Sequence, residues 1–103
     1  MSNGFSRSKG ARAEREVVHI LGSEFKRTGY AGTSEPDVSS SWALISVKDR
    51  ETPISLAKSF QELIKLETQG PEKKHFVAVK LPHGVWLIIQ RIEQFRDMGC
   101  GRR

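Results

Sequence analysis

Residues 11–26 carry Ala13, Val17, Ile20, Leu21 and Phe25 at steps that gather them on one side of a helix. Gly29 is the expected exit. Residues 30–38, rich in Gly, Ser and Thr and broken by Pro36, predict a poorly regular strand or loop. Residues 42–47, Trp-Ala-Leu-Ile-Ser-Val, have the length and composition of a buried strand, and that run ends abruptly in Lys48-Asp49-Arg50-Glu51. Pro53 opens a second helix over residues 55–68, with Leu56, Phe60, Leu63, Ile64 and Leu66 as its apolar face; Gly70-Pro71 ends it. Residues 75–81 and 85–90 are β-rich runs joined by Pro82-His83-Gly84, the pattern of a hairpin, and residues 91–98 form a short closing helix.

The long helix between the strand ending at Val47 and the strand starting near His75 predicts a right-handed crossover, hence a mixed sheet flanked by helices in an α/β domain. With 103 residues there is room for one such domain. Residues 1–8, polar and Ser-rich with Arg7 and Lys9 at their base, read as a flexible basic arm, and residues 99–103 as a flexible tail. A composition 37% apolar and 28% charged argues against disorder. No apolar run approaches the roughly 18 residues of a membrane span, and the polar start lacks the apolar stretch of a signal peptide, so a cytoplasmic protein is expected. The single Cys100 excludes an internal disulfide and a metal-thiolate site, and His19, His75 and His83 fit no zinc spacing. Seventeen Lys and Arg against twelve Asp and Glu give a net charge of +5, which favours a polyanionic partner.

Three features carry the chemistry: Glu14, the pair Pro36-Asp37, and Ser46-Val47-Lys48. Each alone has a bland reading, as a solvated helix face, a turn and a solubilising strand end. Together they place an aspartate shortly before an apolar strand whose end offers side chains 46 and 48 on one face. Phosphodiester hydrolysis needs a hard divalent cation on oxygen ligands, a polarised water and a positive charge near the crowded phosphorus. Carboxylates and a lysine converge on that need.

These residues resemble the PD-(D/E)xK nucleases, and within them the archaeal Holliday-junction resolvases and related small phage-encoded proteins. Lys9-Gly10-Ala11-Arg12-Ala13-Glu14-Arg15 is similar to the family's Lys-Gly followed by Glu-Arg, Pro36-Asp37 to its Pro-Asp, and Ile45-Ser46-Val47-Lys48 to its strand ending Glu-x-Lys. The resemblance implies a single restriction-endonuclease-like domain with Glu14, Asp37 and the Val47 carbonyl holding Mg²⁺ or Mn²⁺. Lys48 would orient water or steady the transition state. It also implies a homodimer acting on four-way or branched DNA, with Lys58 and Gln61 of the second helix near the phosphate backbone and Arg50 among the residues touching DNA.

The departure is Ser46, which stands where the pattern has an acid. A hydroxyl brings no charge to offset dehydration of the ion, so metal binding and cleavage are expected to suffer. Three accounts stay open: an inactivating change, which the retained Lys48 favours; a carboxylate relocated to Glu35, Asp49, Glu51 or Glu62; or a protein that binds branched DNA without cutting it. Arg7, Lys9, Arg12 and Arg15 crowd Glu14 near a helix start, where positive charge opposes the helix dipole, which points to a phosphate-rich partner. An RNA-associated α/β protein explains size and charge but leaves Asp37 and Lys48 without a role. The nearly continuous apolar run Trp86-Leu87-Ile88-Ile89 is either core or dimer interface.

Overall fold

A computed structural model describes residues 2–28, 36–49 and 55–100, with side chains described over 11–28, 36–49 and 55–99. The first helix, α1 (Ser2–Leu21), starts well upstream of its apolar pattern, so the segment expected to be a flexible arm over residues 1–8 is helical from Ser2 onward. Amphipathic spacing is the signal by which a helix is read from sequence, and residues 2–10 carry no apolar stripe for it to register. The helix also ends earlier than Gly29. Gly22, at φ 115°, takes a left-handed turn that side chains disfavour and donates its N–H to Val18 O at 2.9 Å. Phe25 therefore lies beyond the helix, buried beneath it.

Five strands follow: β1 (Lys26–Arg27), β2 (Val38–Ser39), β3 (Ala43–Asp49), then, after α2 (Leu56–Gln69), β4 (Lys74–Lys80) and β5 (Trp86–Ile89). A short helix α3 (Ile92–Phe95) and a turn over Arg96–Cys100 close the described chain. The sheet runs β1-β2-β3-β4-β5 with only β3 and β4 parallel, the mixed sheet that the long crossover predicts. Pro82–Gly84 links β4 to β5 as a hairpin, with Leu81 N–H on Val85 O at 2.7 Å.

Alternation along the strands sorts the core into two layers. Ile45, Phe76 and Ala78 face α1 and pack with Val17, Phe25 and Val38, while Val77 and Val79 face α2 and pack with Leu63. Ile45, Val38 and Val77 are among the most completely buried side chains. Helix α2 is capped by Ser55, whose hydroxyl accepts from Lys58 N–H at 3.1 Å. Its buried stripe is Ser59, Leu63 and Leu66, so the expected apolar face is wrong in three of its members: Leu56, Phe60 and Ile64 are exposed. The small Ser59 is 1% exposed against the sheet, whereas Leu56, Phe60 and Ile64 turn outward. His75, buried at the start of β4, is tied to Gly70 O at 2.7 Å, in keeping with a structural role. Among the described residues no helix is long and apolar enough to cross a membrane.

Candidate functional site

Strand β2 is too short to accompany β3 to its end: their pairing stops at Val38 with Ile45 and Ser39 with Leu44. The Val47 N–H is met instead by the carboxylate of Asp37, whose Oδ2 accepts it at 2.8 Å. Thr28 holds that turn in place, donating its hydroxyl to Pro36 O at 2.9 Å and its N–H to Asp37 O at 3.2 Å. Asp37 is thereby fixed across the far end of β3.

On the α2 side of β3 stand Ser46 and Lys48, as the strand period requires. Ser46 is buried, and its hydroxyl donates to Glu62 Oε1 at 3.0 Å; the Lys48 ammonium lies 3.4 Å from Glu62 Oε2. From the other face, Glu14 on α1 pairs with Arg27 of β1 at 3.0 Å. The site thus wraps the sheet where β2 gives out, fed by both helices.

Electrostatics link the three carboxylates. Burial is the main cause that raises Asp37 above the usual carboxylate range, with Glu62 adding to it; the Val47 hydrogen bond and the cations Lys48 and Lys65 oppose without prevailing. Glu14 is likewise raised by burial and by the charge of Asp37, against the pull of Arg27 and Arg15. For Glu62 burial pushes upward too, but Lys48, the Ser46 hydroxyl and Lys65 outweigh it, and its carboxyl titrates below the ordinary value. Asp37 is therefore a half-buried acid that feels the charge of Glu62 and acts in turn on Glu14. Among the described residues no three acidic, imidazole or thiol groups stand close enough to form a ready metal cluster. In this structure Arg27 and Lys48 occupy the outer two carboxylates.

Of the other residues singled out in the sequence, Arg12 and Arg15 are exposed on α1, and Lys58 and Gln61 on α2. The side chains of Arg7 and Lys9 lie outside the described residues, as do Glu35, Arg50 and Glu51. Asp49 lies on the α1 face of β3, opposite Lys48, where it raises Lys80 together with the nearer Glu16. Sequence reasoning missed Arg27 and Lys65, and held Glu62 only as one of four candidates. The signal for Glu62 was present: it falls three residues after Ser59 and four before Leu66, on the stripe that faces the sheet. A separate cleft of about 350 Å³, between Glu67, Lys74, His75, Arg91 and Gln94, lies at the start of β4, away from this site.

No protein-family model matches the chain, and no curated protein sequence does. Among solved structures, Hjc of Archaeoglobus fulgidus, a Holliday junction resolvase from an archaeal hyperthermophile, superposes with a TM-score of 0.58 at 29% identity, over 80% of this chain and 72% of that one. The chain has the fold of an archaeal Holliday junction resolvase. The likeness read from Glu14, Pro36-Asp37 and Lys48 extends to the architecture, a five-stranded mixed sheet between helices, and the resolvase belongs to the PD-(D/E)xK superfamily. On this fold, a buried serine of β3 is paired with an acid from α2.

Proposed function

We propose that this chain is a divalent-metal-dependent endonuclease that nicks branched DNA, four-way junctions above all, as a two-fold dimer. The observation that carries the reading is the anchoring of Asp37 on Val47 N–H, beside Lys48 and within charge reach of Glu14, on a fold shared with a junction resolvase.

The donor set suits a hard cation: all oxygen, and centred on Asp37, whose charge is disfavoured by burial and by the neighbouring Glu62, and whose own charge reaches Glu14. Added positive charge would relieve that strain. Asp37 offers the oxygen not engaged by Val47, Glu14 approaches from α1, and the Val47 carbonyl completes the family's donor pattern. A bound Mg²⁺ or Mn²⁺ would supply a polarised water and shield charge developing on the phosphate. Lys48 holds its ammonium at the same strand end, suited to steadying that charge or orienting the water. Arg12 and Arg15 on α1, with Lys58 and Gln61 on α2, are the proposed partners of the DNA backbone, which fix position without reading sequence. The dimer is supported by the edge strand β5, where Leu87 and Ile88 are each 47% exposed, more apolar surface than a solvated edge should carry.

A DNA-binding protein without catalysis is the second reading, favoured by the serine at position 46 and by the absence of a ready metal cluster among the described residues. Labelled four-way junctions incubated with and without Mg²⁺ separate the two. Magnesium-dependent nicking that disappears in Asp37→Asn, with junction binding retained, is the expected result. Tight junction binding with no nicking under any divalent metal would establish the binding protein instead.

A further inference from the structure

Resting on the nuclease reading above, we infer that Glu62 supplies the metal-ligating carboxylate that residue 46 does not. Helix α2 delivers it to the same place. Ser46 is 4% exposed, and its hydroxyl donates to Glu62 Oε1 at 3.0 Å, so hydroxyl and hydrogen bond together span a length comparable to the outer part of a glutamate side chain. The carboxylate of Glu62 therefore sits where an acid projecting from position 46 would end. Its other oxygen faces Lys48 Nζ at 3.4 Å, which restores the acid-lysine neighbourhood that the strand alone lacks.

Two further observations favour a functional carboxylate over a surface ion pair. Glu62, itself half-buried, stands beside Ser59, Leu63 and Leu66 on the sheet-facing side of α2, a place where a helix packed on a sheet ordinarily presents an apolar side chain. Its charge also reaches Asp37, so the two acids share one electrostatic environment although they come from different elements. Asp49, the other alternative acid within the described residues, faces the opposite side of the sheet. A serine at 46 is then a fitted partner: it is small enough to leave room, and it holds Glu62 by one oxygen while leaving the carboxylate charge intact.

The test is Mn²⁺ titration by calorimetry on the whole chain, with the Mn²⁺-induced rise in unfolding temperature as a second readout. Four proteins are compared: the parent, Asp37→Asn, Glu62→Gln, and the transplant Ser46→Glu with Glu62→Gln. Glutamine keeps an acceptor for the Ser46 hydroxyl, so Glu62→Gln should fold. It is expected to weaken Mn²⁺ binding by at least about tenfold, the scale of losing a group that shapes a metal site. The transplant should recover most of that loss. Unchanged Mn²⁺ affinity in Glu62→Gln, with Asp37→Asn clearly weakened, would overturn the assignment and leave Glu62 as a tether for Lys48 while the nuclease reading stands. Indifference of Mn²⁺ binding to both Asp37→Asn and Glu62→Gln would overturn the two together. A Glu62→Gln loss that the transplant fails to recover would also refute the proposed equivalence of the two positions.

Discussion

Asp37 can be dissected by two substitutions that separate its charge from its hydrogen bond. Asp37→Asn keeps a carbonyl oxygen for the Val47 N–H, now 2.8 Å from the carboxylate, and removes the charge. Asp37→Ala removes both and leaves a partly enclosed backbone donor without a partner, which costs about 1–3 kcal/mol. Both variants lose the charge, so the difference between them isolates the acceptor. At about 4–8 °C per kcal/mol for a domain near this size, the alanine protein should melt at least about 4 °C below the asparagine protein. The comparison with the parent reports the charge itself. Burial and Glu62 raise the folded-state pKa of Asp37, so its ionised form is less favoured in the folded than in the unfolded chain.

The pH dependence follows from that direction. The favourable contribution of protonated Asp37 is fully present below the unfolded carboxyl value of about 3.9 and is lost as pH rises through the raised folded value. At pH 7, above the unfolded value, the metal-free parent therefore carries a cost at this group that Asp37→Asn lacks, and the asparagine variant should be more stable than the parent. Across acid pH the parent's advantage from this group should return while the asparagine variant shows no such component. Urea unfolding monitored by circular dichroism at pH 7 and at pH 4 measures both differences, with equal m-values as the check that the unfolded states are comparable. An Asp37→Asn protein less stable than the parent at pH 7, or indistinguishable from Asp37→Ala, would refute the account of a carboxylate held at the expense of the fold.

Neutralising Arg12 and Arg15, both exposed on α1, should weaken junction binding and lower the slope of log affinity against log salt by about one unit for each phosphate the protein no longer neutralises; an unchanged slope would take α1 out of the DNA interface. The double change Leu87→Glu with Ile88→Glu places charge on the exposed edge strand β5 and should leave a folded monomer at concentrations where sedimentation finds the parent dimeric. A parent that sediments as a monomer at high concentration, or a variant that still dimerises, would exclude that edge.

Much of the architecture was legible because the crossover leaves little choice: an apolar strand, a long helix and a second apolar strand specify β3, α2 and β4 as a parallel unit. The hairpin was legible for a similar local reason, its turn residues standing between two β-rich runs. What the pattern missed were boundaries and facing. The start of α1 carries no apolar stripe, and the end was set by Gly22, one glycine upstream of the expected Gly29. Within the site, Asp37, Ser46 and Lys48 could be read from a motif along the chain. Their neighbours could not: Arg27 meets Glu14 only because β1 pairs with β2, and Glu62 meets Ser46 only because α2 packs on the sheet with one particular face.

That facing joins two features that otherwise look unrelated. A helix of α2's composition has two ways to lie on the sheet, and the one with Leu56, Phe60, Leu63 and Ile64 inward would bury more apolar area, at about 25 cal/mol per Å². The observed orientation instead turns Ser59 and Glu62 inward with Leu63 and Leu66, and leaves Leu56 81% and Phe60 52% exposed. It brings Glu62 to Ser46 and Lys48, two polar side chains of β3 that would otherwise lie under an apolar helix face. Burying Ser46 and Lys48 without that partner would cost free energy for each unsatisfied group, so the polar residues of the strand and the helix select each other. The outward apolar stripe is the other half of the same choice. Arg91 covers part of it, its guanidinium 5.6 Å from the Phe60 ring and paired with Glu67 at 2.8 Å, while Leu56 at the start of the helix stays open to solvent. A buried serine on β3 and exposed leucine and phenylalanine on α2 thus go with one rotation of the helix, the one that brings Glu62 to Ser46 and Lys48.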